Sequence, residues 1–381
     1  VFVAPRYGTG SLSDLFPSVL AGFGVPGEQD RLGLGLGLRV DRVCVLLIDG
    51  LGAEALAEHA EVAPFLAGLA PAVLTAGFPT TTATSVSSLG AGVPPGEHGI
   101  VGYLLRVPGQ DRLFDPLGWR LFGGQHKGDL LEQLVPEQFQ PGATVFERAA
   151  AHGLTVTQVA PRYQAGSGLT RAVLRGCAFR PNFSVGDLVA GVVEALATPR
   201  SLVYAYHGEL DTTGHVRGPS SESWLLELAH VDRIAADIAA RMPAGSALIV
   251  TADHGMVELS DTIDFDAESG LREGVQRLGG EPRARHVYTA DGATDDVHSA
   301  WRESLGNRFQ VLTRAEVIDR GWFGPTVSPQ VHDRIGDLVV VARGTGGVVR
   351  TQAEPLQSAL PGHHGSLTPA EMNVPLRVFT S

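Results

Sequence analysis

The chain has 381 residues, 44% hydrophobic and 18% charged, with 41 acidic against 29 basic side chains and a formal charge of −12. That length and composition describe a globular protein with one large core and an insertion, or with two domains; they exclude a disordered chain, and the acidic balance disfavours binding a nucleic-acid polymer. No apolar run approaches the ~20 residues that span a bilayer, so no membrane residence is expected, and residues 1 to 30 lack the zones of a secretory leader, which points to the cytoplasm.

Residues 5 to 40 are rich in Gly and Pro, and Gly33-Leu34-Gly35-Leu36-Gly37-Leu38 reads as a loop. A dinucleotide fingerprint needs its glycines after a strand and spaced G-x-G-x-x-G, which this tract does not provide. The first strong element is Val43 to Ile48, a continuous apolar run that reads as a strand buried on both faces and ends in Asp49-Gly50-Leu51-Gly52. Asp49 therefore either caps the next helix or is a site carboxylate at the carboxyl edge of an open sheet. Cys44 lies inside this strand as an inert thiol; with Cys177 the only other cysteine, no disulfide framework follows.

Residues 53 to 59 and 64 to 69 have helical composition, and 72 to 78 suggests a short strand broken by Pro79. Thr80-Thr81-Thr82-Ala83-Thr84-Ser85 opens a helix ending near Gly90. Strands are expected over 154 to 160, 201 to 206 and 246 to 252, and helices over 185 to 197 and 222 to 241. This alternation predicts an α/β fold with a mostly parallel, doubly wound sheet and helices on both faces. A more charged stretch from about 258 carries a small strand, helix, strand unit (286 to 289, 294 to 305, 309 to 313), and 337 to 342 again resembles core strand. The expected organisation is a catalytic core over 1–257, an inserted α+β cap over 258–335, and the rest of the core over 336–381.

Asp49, Thr82, Asp211, His215, Asp253, His254 and His364 stand at strand ends or in loop contexts, in VLLIDGLG, FPTTTATS, GELDTTGH, VTADHGM and PGHHGS. Aspartate and histidine with a hydroxyl oxygen suit Zn2+, with Mn2+ or another divalent ion as the alternative. A threonine hydroxyl is unreactive at neutral pH, and neither a G-x-S-x-G elbow nor a histidine base adjoins Thr82, so any chemistry at this hydroxyl would need a metal to lower its pKa. The helix starting near Thr82 would also direct backbone N–H groups at an anion.

In their order these motifs resemble the alkaline phosphatase superfamily, most closely its type I phosphodiesterase/nucleotide pyrophosphatase branch with its bacterial members. The resemblance runs from about Val43 to the end and implies an alkaline phosphatase-like fold with two divalent metal ions. It places Asp49, Asp253 and His254 on one ion beside the nucleophile Thr82, and Asp211, His215 and His364 on the other. His364 is preferred to His363 because the family's ligand immediately precedes a glycine, here Gly365. The implied reaction is hydrolysis of a small phosphate ester, a nucleotide included, through a phosphothreonine-type intermediate. The alternatives are a phosphomonoesterase, a phosphonoacetate hydrolase-like enzyme or a phosphotransferase using the same site, and, from a different class, a non-catalytic binding protein.

The chain departs from that branch after His98-Gly99-Ile100, where an asparagine that contacts a nonbridging phosphate oxygen is replaced within Val101-Gly102-Tyr103-Leu104. The Tyr103 hydroxyl is the substitute candidate. Arg162 and Arg171 are candidates to grip a terminal phosphate, as a monoesterase requires. His98 itself is expected to pack and hydrogen-bond rather than to ligate.

Overall fold

Long apolar runs without alternation can be buried only as central strands covered on both faces, and Val43 to Ile48 occupies that position. The computed structural model describes residues 1–36, 40–124, 126 and 128–381; Gly37 and Leu38, at the end of the tract read as a loop, lie outside them. Two principal sheets are built from β1 (Arg42–Ile48), β2 (Ala72–Thr75), β3 (Thr155–Pro161), β4 (Ala178–Asn182), β5 (Ser201–His207), β6 (Ser246–Thr251), β7 (Val275–Glu281), β8 (Ala284–Thr289), β9 (Phe309–Thr313), β10 (Leu338–Ala342) and β11 (Asn373–Thr380).

The larger sheet has the order β2-β11-β6-β1-β5-β3-β4. β1 runs parallel to β5 and β6, and β3 runs parallel to β5 and β4. Only β11 runs against its neighbours, β2 and β6. Parallel neighbours need crossovers, and the helix Glu222–Arg241 supplies one between β5 and β6. Its start is capped by Ser221, whose side chain accepts from Trp224 N at 3.3 Å, and its inner face buries Leu228, Val231, Ile234 and Ile238. In the β1 register Ile48 lies opposite His207 and Leu47 opposite Thr251, so the chain leaves three neighbouring strands at one edge. Asp49, Asp211 and Asp253 all follow at that edge.

The smaller sheet is antiparallel, in the order β7-β8-β10-β9, with the helix Thr294–Leu305 packed beside it. It corrects one expectation, because β10 belongs to this sheet and not to the core sheet. The reason is visible in its burial. Val339 and Val341 join the main hydrophobic cluster, while Leu338, Val340 and Ala342 join a second one. A strand between two apolar layers has the same sequence signature whichever sheet it enters. β4, β7, β11 and the buried helix Leu15–Gly22 are further elements that the sequence reading did not anticipate.

Buried ion pairs tie the smaller sheet to the rest. Arg283 grips both carboxylate oxygens of Glu371 at 2.9 and 2.7 Å, and Arg285 reaches Glu354 at 2.8 Å. Among the described residues, no helix is long and apolar enough to cross a membrane.

Candidate active site

Asp49 leaves the end of β1 almost fully buried. Its Oδ2 accepts a hydrogen bond from the Tyr206 hydroxyl, and its Oδ1 lies 3.4 Å from Thr82 Oγ1 and 3.4 Å from His254 Nε2. Gly50 follows at φ +75°, and a Cβ there would stand 3.0 Å from Asp211 Cα, so the turn admits Asp211 only because this residue is glycine. Gly50 N in turn donates to Asp253 Oδ1 at 3.2 Å.

Thr82 is the first residue of the helix Thr82–Ala91, with Thr81 at the N-cap. Its Oγ1 is 3.1 Å from His254 Nε2. The hydroxyl therefore sits where unpaired backbone N–H groups of the first turn face outward.

The three histidines share one arrangement. His215 Nδ1 lies 2.8 Å from Gly362 O, His254 Nδ1 lies 3.0 Å from Gly255 O, and His364 Nδ1 lies 2.7 Å from Thr80 O. A carbonyl only accepts, so each ring carries its proton on Nδ1 and turns a lone pair on Nε2 inward. His364 Nε2 and His215 Nε2 then face each other at 3.2 Å, and the rings of His254 and His364 stack with centroids 3.6 Å apart. Two lone pairs at that distance repel unless a cation lies between them.

Among the described residues, two sets of side chains each bring their donor atoms within 4.8 Å of one another: Asp211 with His215 and His364, and Asp49 with Asp211 and His254. Asp211 is thus close to both groups, whereas the sequence reading placed it on one ion only. Asp253 stands beside them, its Oδ2 3.5 Å from His254 Nε2. His363 turns away, its Nε2 directed to Leu360 O at 3.1 Å.

The electrostatics ask for positive charge. Among the described residues no Arg or Lys pairs with Asp49, Asp211 or Asp253, and Asp211 Oδ1 and Asp253 Oδ2 are buried without a hydrogen-bond partner. Burial, followed by the charge of Asp253, holds the Asp49 carboxyl well above the usual range; burial and then Asp49 do the same to Asp211. Burial pushes Asp253 up to about 6 and His254 down to about 4. Orphaned carboxylate oxygens among imidazoles whose Nε2 atoms face inward make a donor set that fits divalent metal ions.

Two cavities share Thr82, Leu117 and Asp211 among their walls. One, of about 410 Å³, is also lined by Tyr163, Tyr204 and Tyr206; the other, of about 350 Å³, by Tyr103, Glu281 and Gln357. Tyr103 therefore shares a cavity wall with Thr82. The arginine candidates do not line either cavity: Arg162 is exposed, and the guanidinium of Arg171 is occupied by both oxygens of Glu137 at 2.8 Å. His98 is buried, its Nε2 3.0 Å from Ser88 Oγ while its Nδ1 accepts from Ile100 N at 3.2 Å. Tyr206 and Glu281 were missed by sequence reasoning. A phenol near the end of an apolar strand was a usable signal for Tyr206, but Glu281 comes from the other sheet with no local mark.

Residues 43–367 match the family described as Type I phosphodiesterase / nucleotide pyrophosphatase. No curated protein matches the chain. Among solved structures it is similar to murine ectonucleotide pyrophosphatase / phosphodiesterase 5, at 19% identity over 89% of this chain and 88% of that one, with a TM-score of 0.68. An inactive variant of that protein in complex with AMP matches at 20% identity over 88% and 87% of the two chains, with a TM-score of 0.68. Phosphonoacetate hydrolase from Sinorhizobium meliloti in complex with phosphonoacetate matches at 20% identity over 89% and 90%, with a TM-score of 0.66. At such identities the structural likeness establishes the shared fold, and the family match carries the assignment. The chain belongs to the type I phosphodiesterase / nucleotide pyrophosphatase family, within the alkaline phosphatase superfamily, and is a phosphoester hydrolase.

Proposed function

We propose that the protein hydrolyses phosphodiesters, nucleotide pyrophosphate linkages included, with Thr82 as nucleophile and two divalent ions, Zn2+ by the donor chemistry, held by Asp49, Asp253 and His254 and by Asp211, His215 and His364. The observation that carries this reading is the pair of cavities meeting at Thr82, which gives a substrate phosphate room for a substituent on either side. A monoester would leave one cavity empty, and neither Arg162 nor Arg171, the candidates to grip its extra charge, lines either cavity.

The ions would supply the positive charge that lowers the pKa of the Thr82 hydroxyl and offsets charge on the phosphate. Thr82 Oγ1 forms the new P–O bond as the leaving-group oxygen departs in line, giving a phosphothreonine. Water then breaks that bond from the opposite side, so two inversions yield net retention at phosphorus. N–H groups of the helix Thr82–Ala91 face the nonbridging oxygens, and Tyr103 takes the place of the missing amide donor. The insertion over 258–335 acts in this reading as a cap, since Glu281 at the end of β7 reaches the second cavity.

Parallel assays with bis-p-nitrophenyl phosphate, a nucleotide phosphodiester and p-nitrophenyl phosphate, together with metal analysis, test it. Turnover of the diesters with bound divalent metal is expected, and Thr82→Ala abolishes it while leaving metal content nearly intact. Activity confined to the monoester refutes the diester reading.

A further inference from the structure

The hairpin of β7 and β8 carries three buried charged side chains close together in sequence: Glu281 at the end of β7, Arg283 in the turn and Arg285 in β8. Both arginines are fully engaged. Arg283 holds Glu371 and the carbonyl oxygens of Gly344 and Gly346; Arg285 holds Glu354 and Val348 O. Glu281 has no such partner. Its Oε1 makes no hydrogen bond, and its Oε2 lies 3.7 Å from His364 Nδ1, a nitrogen whose proton already goes to Thr80 O. The Thr81 hydroxyl stands close enough to donate to the carboxyl.

The seat for this side chain is built into the fold. Gly365, directly after His364, adopts φ +136°, and a Cβ there would approach Glu281 Cγ to 2.8 Å. The carboxyl lines the cavity of about 350 Å³, whose remaining wall beyond Thr82 and the proposed ligands is Thr81, Tyr103, Gln357, the leucines Leu117, Leu356 and Leu360, and His363, whose Nε2 is directed to Leu360 O. No Arg or Lys is among the described residues that line it. A buried oxygen without a donor is costly, so a donor arriving through the cavity stabilises the site, whereas a second phosphate placed away from the proposed metal ligands would find a carboxyl and no Arg or Lys among the described lining residues.

Resting on the diester reading, we infer that this cavity binds a phosphodiester substituent that donates hydrogen bonds, a hydroxyl or ammonium group, to Glu281, in preference to a substituent bearing a further phosphate. Glu281 is then a residue that determines specificity. It lies on the smaller sheet, so the insertion, and not the metal-bearing edge of the larger sheet, selects the substrate.

The test compares kcat/KM for 2-hydroxyethyl phenyl phosphate, 2-aminoethyl phenyl phosphate and propyl phenyl phosphate, following loss of diester by phosphorus NMR. Wild-type protein is expected to favour the two donor-bearing esters over the propyl ester by roughly tenfold or more. In Glu281→Leu that ratio collapses towards one. Equal values for the three esters in the wild-type protein overturn the inference without recourse to any variant. So does a ratio that survives Glu281→Leu, including the case in which all three values fall by a common factor. Turnover of phenyl phosphate with none of the three diesters refutes the diester reading itself, and the inference falls with it.

Discussion

Replacing Tyr206 by Phe removes one oxygen from the wall of the site and leaves the ring in place. Tyr206 is buried on β5, and its hydroxyl donates to Asp49 Oδ2, while Asp49 Oδ1 faces Thr82 and His254. Without the phenol, Oδ2 is a buried carboxylate oxygen with no donor. A hydrogen bond to a charged group contributes about 1.5–3 kcal/mol, which corresponds to roughly 10–100-fold in affinity for an ion that Asp49 ligates. Tyr204, two residues earlier on the same face of β5, provides the internal control: it is fully buried, but its hydroxyl has no hydrogen-bond partner. Zinc affinity measured by competition with a chromophoric chelator should show one of two ions weakened roughly 10–100-fold in Tyr206→Phe, the other nearly unchanged, and both nearly unchanged in Tyr204→Phe. Wild-type affinity at both sites in Tyr206→Phe, or identical behaviour of the two variants, would show that the phenol does not hold the ligand.

Metal affinity should rise with pH. The carboxyls of Asp49, Asp211 and Asp253 are held above their ordinary range chiefly by burial, Asp253 at about 6, so an incoming ion must displace protons. His254, held down to about 4, is neutral over that range and does not compete. Calorimetric titration with zinc in two buffers of different ionisation enthalpy should report proton release and tighter binding as pH passes through about 6; affinity independent of pH between about 5 and 7 contradicts the assignment. His364→Ala should lose one equivalent of metal and His363→Ala none, by elemental analysis, because only His364 Nε2 faces His215; the reverse outcome overturns that choice. Gly50→Ala puts a Cβ 3.0 Å from Asp211 Cα at a φ of +75°, at a cost of about 1–2 kcal/mol in backbone conformation alone. Calorimetry should show a lower Tm together with reduced metal retention, and an unchanged Tm would mean that the turn relaxes freely.

Several features of the fold are legible in the sequence because their causes are local. The apolar runs that become β1, β5 and β6 can be satisfied only between two other layers, and the apolar stripe of Glu222–Arg241 follows a 3.6-residue period behind its Ser221 cap. The same locality puts Asp49 and Asp253 just past strand ends, and Asp211 in the first turn of the helix Glu209–Arg217 that follows β5. The smaller sheet shows the limit. Leu338–Ala342 has the composition of a core strand, yet it pairs with β8 and β9, and Asn373–Thr380 enters the large sheet one strand in from its edge, against the direction of its neighbours. Pairing depends on partners far away in the chain, and composition holds no record of them.

The site divides in the same way. By itself the sequence determined which side chains are chemically able to ligate or attack, since Asp, His and Thr carry that ability in any fold. Tertiary structure alone decided what surrounds them. It set carbonyls of Gly362, Gly255 and Thr80 against the three Nδ1 atoms, placed Tyr206 on Asp49, directed Arg171 to Glu137, and brought Glu281 from the other sheet to the second cavity. Apart from the contact of His254 with the neighbouring Gly255, these groups lie tens to hundreds of residues apart, brought together by strand register and by the space that Gly50 and Gly365 leave open, and no local pattern encodes them.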